Sequence, residues 1–328
     1  MTIRVPKPLR LLLAVPLALA SGMPQALAQG VYPTRPVRVV VSTSAASGTD
    51  TVARLIAQPL AERLGQQVVV ENRAGAATMI GTEIVARSAP DGYTLLMSPP
   101  ALTINPAMYK KLPYEAQRDF APITHAISTP LVITVHPSLP VKSVKELIAL
   151  AKARPGEIAF AHSGSGSITH LAMVTFLVMT GTHMLPVAYK GPAPGMIDLM
   201  AGRVSIQALS AVAVVPHIRS EKLRALGVTT ARRVKGLTEV PTIAEAGVPG
   251  YEVVSWAGLL APAKTPKDVI ARLHKETTSV LRMQDVSERI SRDGSEVVAS
   301  SPDELGAFLR AETAKWAKFI KSAGIEPE

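Results

Sequence analysis

Short β-branched runs alternate with stretches of helical spacing along this chain. Residues 37–41 read VRVVV after Pro36, the unbroken apolar run of a strand buried on both faces. Beyond the small-residue loop 42–49, Val52, Leu55, Ile56, Leu60 and Leu64 recur on one helix face, with Asp50 in the first turn and Gly65 as the stop. Pro59 inside that helix predicts a kink. A strand at 67–71, a helix at 80–88 closed by Pro90-Asp91-Gly92, and a strand at 93–97 complete the first series.

The alternation then restarts. Strands are predicted at 131–135, 158–160, 185–189, 204–208, 226–229 and 253–261, with helices at 143–153, 171–179, 194–201, 266–283 and 302–323. Strand, loop, helix in repetition argues for an α/β fold built on parallel sheet, with ligand-bearing loops at the carboxyl ends of the strands. Two such series predict two α/β lobes, and the loops 42–49 and 161–169 are placed to face one another across a cleft.

The second of these loops carries the strongest local signal. Residues 161–171 read AHSGSGSITHL, glycines and hydroxyls leading straight into helix. Free amides of a first helical turn, together with the positive end of the helix dipole, suit a carboxylate or phosphate. Ser and Thr at this place also read as an ordinary helix cap, and the residues alone leave both readings open.

At the N-terminus, Arg4, Lys7 and Arg10 precede an apolar stretch at 11–20 and the small-x-small triplet Ala26-Leu27-Ala28. This pattern predicts a signal peptide over 1–28, too short to span a bilayer, and an exported, soluble, periplasmic product. The chain has no cysteine, which excludes disulfides and thiolate chemistry. The net charge of +10 is scattered among acids and only 4% of residues are aromatic, a poor basis for nucleic-acid binding. His125, His136, His162, His183, His217 and His274 show no metal-ligand spacing, so neither metal nor cofactor is expected.

In order along the chain, YPTRPVRVVV, GTDTVARLIAQPLAERLGQQVVVENRAGA, IGTEIVARSAPDGYTLL, LPYEAQRDFAPI, KELIALAKARPGEIAF, GSGSITHLA, YKGPAPGMIDLMAGRV, VPTIAEAGVPGYEVVSW and GLLAPAKTP resemble the Bug receptors, the periplasmic solute-binding proteins of tripartite tricarboxylate transporters. The resemblance runs from Tyr32 to Ile325. It implies a type II periplasmic-binding-protein fold, two α/β lobes around a central cleft, with crossings near 129–135 and 253–260. One lobe is then 32–128 plus 255–328 and the other 129–254. It implies a monomeric transport protein, not an enzyme, that closes like a Venus flytrap on a small organic acid. Its partners would be the membrane subunits of a tripartite transporter or a sensor protein. It also implies carboxylate binding by one loop of each lobe, 44–50 and 163–169.

On that basis the expected ligand-binding residues are Thr43, Ala46, Ser47, Asp50, Ser163, Gly164, Ser165, Gly166, Ser167, Thr169 and Ser210. The amides of Ser47, Ser165, Gly166 and Ser167 would hold carboxylate oxygens, and the hydroxyls of Thr43, Ser163, Thr169 and Ser210 would assist. Asp50 reads either as a contact for a ligand amine or as a helix-dipole and capping group. Lys190 reads as a cleft ammonium or a solvated turn residue, and Arg73 as a carboxylate clamp or a salt-bridge partner.

The chain departs from the family pattern in ways that bear on specificity. Relatives commonly carry a glycine pair before Gly-Thr-Asp, where this chain has Ala46 and Ser47. Ala208-Leu209-Ser210 stands where relatives often have Phe-Asp-Asn, and Leu102 and Val174 replace polar residues. These changes predict a more hydrophobic ligand behind the carboxylate. Two other classes compete with the receptor reading. A scaffold or signalling protein would retain the fold with a degenerate cleft. A periplasmic hydrolase would pair a hydroxyl of the serine-rich loop with His170, but the chain has no G-x-S-x-G elbow and no acid within this motif.

Overall fold

The computed structural model describes residues 1–3, 32–45, 47–292 and 294–327. The expected signal peptide, beyond its first three residues, and Ala46 lie outside the described residues. A compact body spans Tyr32–Glu328. No helix among the described residues is long and apolar enough to cross a membrane.

The elements follow in chain order: β1 (Val37–Val41), α1 (Gly48–Leu64), β2 (Val68–Asn72), α2 (Met79–Ala86), β3 (Thr94–Ser98), α3 (Ala101–Met108) and β4 (Phe120–Val135). Then come α4 (Val144–Ala153), β5 (Ala159–His162), α5 (Ile168–Thr180), β6 (Leu185–Ala188), α6 (Pro192–Met200), β7 (Ile206–Ser210), α7 (Ala211–Arg219) and β8 (Arg224–Val228). The chain ends with β9 (Val254–Pro262), α8 (Lys267–Leu281), α9 (Gln284–Ser291), β10 (Glu296–Val297) and α10 (Pro302–Ser322).

Two parallel groups of strands are joined by two long antiparallel ones. β1 lies between β2 and β3, parallel to both, and β3 continues antiparallel to β9. β5 lies between β6 and β7, again parallel to both. The link is β4. Its first part, Phe120 to Pro130, pairs with β9, whereas Leu131 to Val135 pairs with β7 on one edge and β8 on the other. The sheet therefore changes partners at Pro130–Leu131, where β9 begins opposite at Val254.

β4 starts eleven residues before the predicted strand. Pro122 and Pro130 interrupt its pattern, and register shifts between Pro122 and Thr124 and between His125 and Ile127 break the two-residue alternation by which a strand is recognised. α3 was also not foreseen, since Pro99-Pro100 before it and Pro106 within it read as loop. α7, α9 and the short β10 are likewise absent from the expected series, and the remaining elements match within a few residues. Gly65 closes α1 in the left-handed conformation at φ 70°, and Ser143 caps α4.

Burial explains why the sheet forms. Val37, Val40 and Val41 are fully buried, and each such side chain contributes about 1.5–3 kcal/mol relative to an exposed one. The first group of strands packs on α1 and α8 through Val52, Ile56, Leu60, Leu273 and Val280. In the second, Phe160, Leu171, Met173 and Phe176 form an apolar cluster that also takes in Ile104 and Met108 of α3 and Trp316 and Ile320 of α10. Helices that precede and follow the second group of strands in the chain thus buttress it.

Candidate functional site

Two helix N-termini of the same construction stand at the carboxyl ends of β1 and β5. Ser47 caps α1 by accepting a hydrogen bond from Asp50 N at 3.2 Å, and Ser167 caps α5 by accepting one from His170 N at 3.2 Å. In each loop the hydroxyls bond to one another. Thr43 Oγ1 and Ser47 Oγ are 2.6 Å apart, and Thr169 Oγ1 lies 3.1 Å from both Ser163 Oγ and Ser167 Oγ. The capping interactions confirm the helix-start reading and do not displace the anion reading, because a cap satisfies only one of the first-turn donors.

The amides divide into engaged and free. Ser47 N donates to Ser44 O, Ser167 N to Gly164 O, and Gly166 N to His170 Nδ1 at 3.3 Å. Ser163 N donates to Thr169 Oγ1. Of the four amides expected to hold a carboxylate, Ser165 N alone has no acceptor among the described residues, and it is joined by Gly164 N. The first-turn amides of Ile168 and Thr169 in α5, and of Gly48 and Thr49 in α1, are likewise without acceptors among the described residues. Both helix dipoles add positive potential at these donors.

Asp50 is almost wholly buried and serves as an anchor. Its carboxylate accepts from Arg54 Nε at 3.0 Å and from Asn72 Nδ2 at 2.8 Å. Asn72 Nδ2 also reaches Thr43 O, so the network ties α1 and β2 to the 42–47 loop. Arg73 forms an ion pair with Glu71, and Glu71 also pairs with Arg38. Lys190 is exposed, while Tyr189 before it donates to Asp198 Oδ2 at 2.8 Å.

Ser210 ends β7 opposite Leu131, at the point where β4 changes sheets, and its Oγ is buried without a partner. Ser42 at the end of β1 is 1% exposed and its Oγ too has no partner. These hydroxyls leave hydrogen-bonding capacity beside both loops.

The structure also brings in segments that pattern alone did not mark. A Cβ placed on Gly191 would lie 3.8 Å from Ser44 Oγ, and one placed on Gly166 would lie 3.2 Å from Met108 Cγ. The two loops are therefore met by the 189–191 turn and by α3. A further loop lies beside Ser42: Ala76, Ala77 and Thr78 have φ of 44°, 48° and 72°, a left-handed run in which side chains are strained. Asn105 of α3 holds it by donating to Ala77 O at 2.9 Å. α2 packs so close behind it that a Cβ on Gly81 would sit 2.8 Å from Ser42 Cα.

One specificity argument is corrected by this geometry. Leu102 is 1% exposed in a cluster with Val40, Leu96, Trp256 and Leu260, so its apolar character serves packing and says nothing about the ligand. Ala208 and Leu209 are similarly buried.

The His170 ring faces His162 at 4.4 Å between centroids. Burial, and then the neighbouring His162, brings its pKa down to about 4. Among the described residues no carboxylate is bonded to either ring, and no group of three or more candidate ligands could hold a metal ion.

The profile of the tripartite tricarboxylate transporter family receptor matches residues 52–325. BugT of Bordetella pertussis is 36% identical over 320 residues, covering 97% of this chain and 98% of its own length. The solved periplasmic binding protein BugD superposes with a TM-score of 0.85 at 36% identity, covering 90% of this chain and all of that one. An R. palustris protein solved with adipate superposes at 0.86 with 38% identity over the same shares. The fold is that of the periplasmic binding proteins, two α/β lobes around a central cleft.

Proposed function

Since the chain belongs to the tripartite tricarboxylate transporter receptor family, we propose that it is a periplasmic receptor that closes its two lobes over a small organic acid. The observation that carries this reading is the pair of capped helix N-termini with free amides, one at the end of β1 and one at the end of β5. An anionic carboxylate gains charge-assisted hydrogen bonds there.

The lobes are 32–128 with 255–328, and 129–254, and the change of sheet partners at Pro130–Leu131 supports that division. The carboxylate sits on Gly164, Ser165, Ile168 and Thr169 amides on one side and Gly48 and Thr49 amides on the other. Thr43, Ser47, Ser163, Gly166, Ser167 and Ser210 shape the cavity, and Asp50 fixes the first loop without touching ligand. Contacts made to both lobes exist only when the lobes meet, so ligand favours the closed form by the difference in contacts.

The protein acts as a monomer and hands its solute to membrane transporter subunits or signals to a sensor. The hydrolase alternative fares worse, because His170 Nδ1 accepts from a backbone amide and its ring faces another histidine. A thermal-shift and calorimetric screen of mono- and dicarboxylates, adipate included, tests the reading. A ligand at a hundred times its Kd should stabilise the protein by about 2.7 kcal/mol. Absence of any shift across the panel refutes it.

A further inference from the structure

Phe160 and His162 lie two residues apart on β5 and so leave the sheet on one face. Phe160 fills the apolar cluster beneath α5. His162, the last residue of the strand, comes to rest under the 163–169 loop. It is 3% exposed, and its Nδ1 is sealed from solvent without a hydrogen-bond partner among the described residues. Burial lowers its pKa, with the Gly164 backbone opposing, and so favours the neutral ring in the free protein.

A buried polar atom without a partner keeps the full cost of its desolvation. A leucine beside Phe160 would fill the same space without that cost, so packing alone does not account for a histidine here. The ring is braced by His170, which in turn stacks on Phe160 at 6.4 Å. His170 is itself fixed by Gly166 N, inside the loop whose free amides offer an anion site. A fully buried polar side chain therefore lies next to a helix N-terminus with donors to spare.

Building on the receptor reading, we propose that His162 contacts the ligand, donating a hydrogen bond to the carboxylate seated on the 163–169 loop, with His170 as its positioning partner. The charges around the ring make the consequence specific. His170 from α5 is the titratable group beside it; β6 places Ala188 in register, β7 contributes Ile206 and Gln207 alongside β5, and α3 brings Met108 to the loop. Among the described residues no carboxylate side chain is bonded to the ring to hold a proton on it before ligand arrives. An incoming carboxylate supplies that charge, raises the His162 pKa and draws a proton in with it, so affinity falls as pH rises.

Calorimetry with the tightest-binding carboxylate of the panel tests this on the full protein, as wild type, His162→Leu and His162→Gln, between about pH 6 and pH 8. Wild type should bind more weakly as pH rises and take up protons on binding. The leucine variant should bind roughly ten- to a hundred-fold more weakly, the worth of a hydrogen bond to a charged group, and lose the pH slope. The glutamine variant, which keeps a donor that does not titrate, should recover part of the affinity without the slope. Wild-type affinity and slope in the leucine variant overturn the proposal, and in the glutamine variant an unchanged slope does so if the leucine variant does not fold. A wild type that binds no carboxylate refutes the receptor reading instead.

Discussion

Acid should weaken this protein well above the range in which its carboxylates titrate, and His125 gives the cleanest measure of how much. Its ring lies 4.5 Å from Phe308 and 6.0 Å from Trp256, with Nε2 held 3.0 Å from Ile127 O. Burial brings its pKa down to about 4, against a partly opposing hydrogen bond to that carbonyl. Unfolded, the same imidazole titrates near its ordinary 6.5. The folded pKa is depressed, so between these values the unfolded chain binds more protons. Stability is complete above the unfolded pKa and is lost as pH falls toward the folded one.

Integrating that difference from pH 7 to pH 5 gives a loss of about 2 kcal/mol for His125. His170, lowered to a similar value, should add a comparable loss. The assay is urea denaturation of unliganded protein at half-unit pH steps, comparing wild type with His125→Gln, whose amide can still donate toward Ile127 O. The variant should lose little at pH 7 and should fall less steeply, by about 1 kcal/mol per pH unit. Stability lines that run parallel for the two proteins between pH 7 and pH 5 would show that His125 is solvated in the folded state and refute the reasoning.

Other substitutions probe the loops. Gly81→Ala puts a Cβ 2.7 Å from Arg73 O and 2.8 Å from Ser42 Cα, both backbone atoms, and should cost about 1–3 kcal/mol in denaturant stability; an unchanged midpoint would mean that α2 shifts freely. Asp50→Ala removes a buried charged acceptor from Asn72 and should cost about 2 kcal/mol, with the half-exposed Arg54 pair contributing little of it. If Asp50 served only a ligand, stability without ligand would be unaffected. Asn105→Ala releases Ala77 O and should speed hydrogen exchange at 76–79 without unfolding the core; equal protection in both proteins would assign the left-handed run to other contacts.

Pattern along the chain determined a great deal because the physics it reports is local. VRVVV could only be a buried strand, Gly65 marks a left-handed helix end, and Ser47, Ser143 and Ser167 cap the helices that follow them. The ordered motifs carried the family, and with it the two-lobed α/β plan. Hydrogen-bond bookkeeping was not local. Whether Gly166 N was free depended on where the His170 ring lay, and Asp50 was committed by Asn72, which comes from the next strand.

Tertiary structure alone decided which segments meet. The first half of β4 and all of α3 are obscured in the sequence by prolines, yet β4 joins the two groups of strands and α3 brings Met108 to Gly166 and Asn105 to Ala77. Leu102 looked like a ligand determinant until its packing showed it to be core. His162 looked unremarkable until its burial and missing partner placed it under the loop. The sequence by itself settles what each residue prefers nearby, through propensity, capping and hydrophobic period. Close approach between residues far apart in the chain depends on the summed packing of every element between them, and no local preference records it.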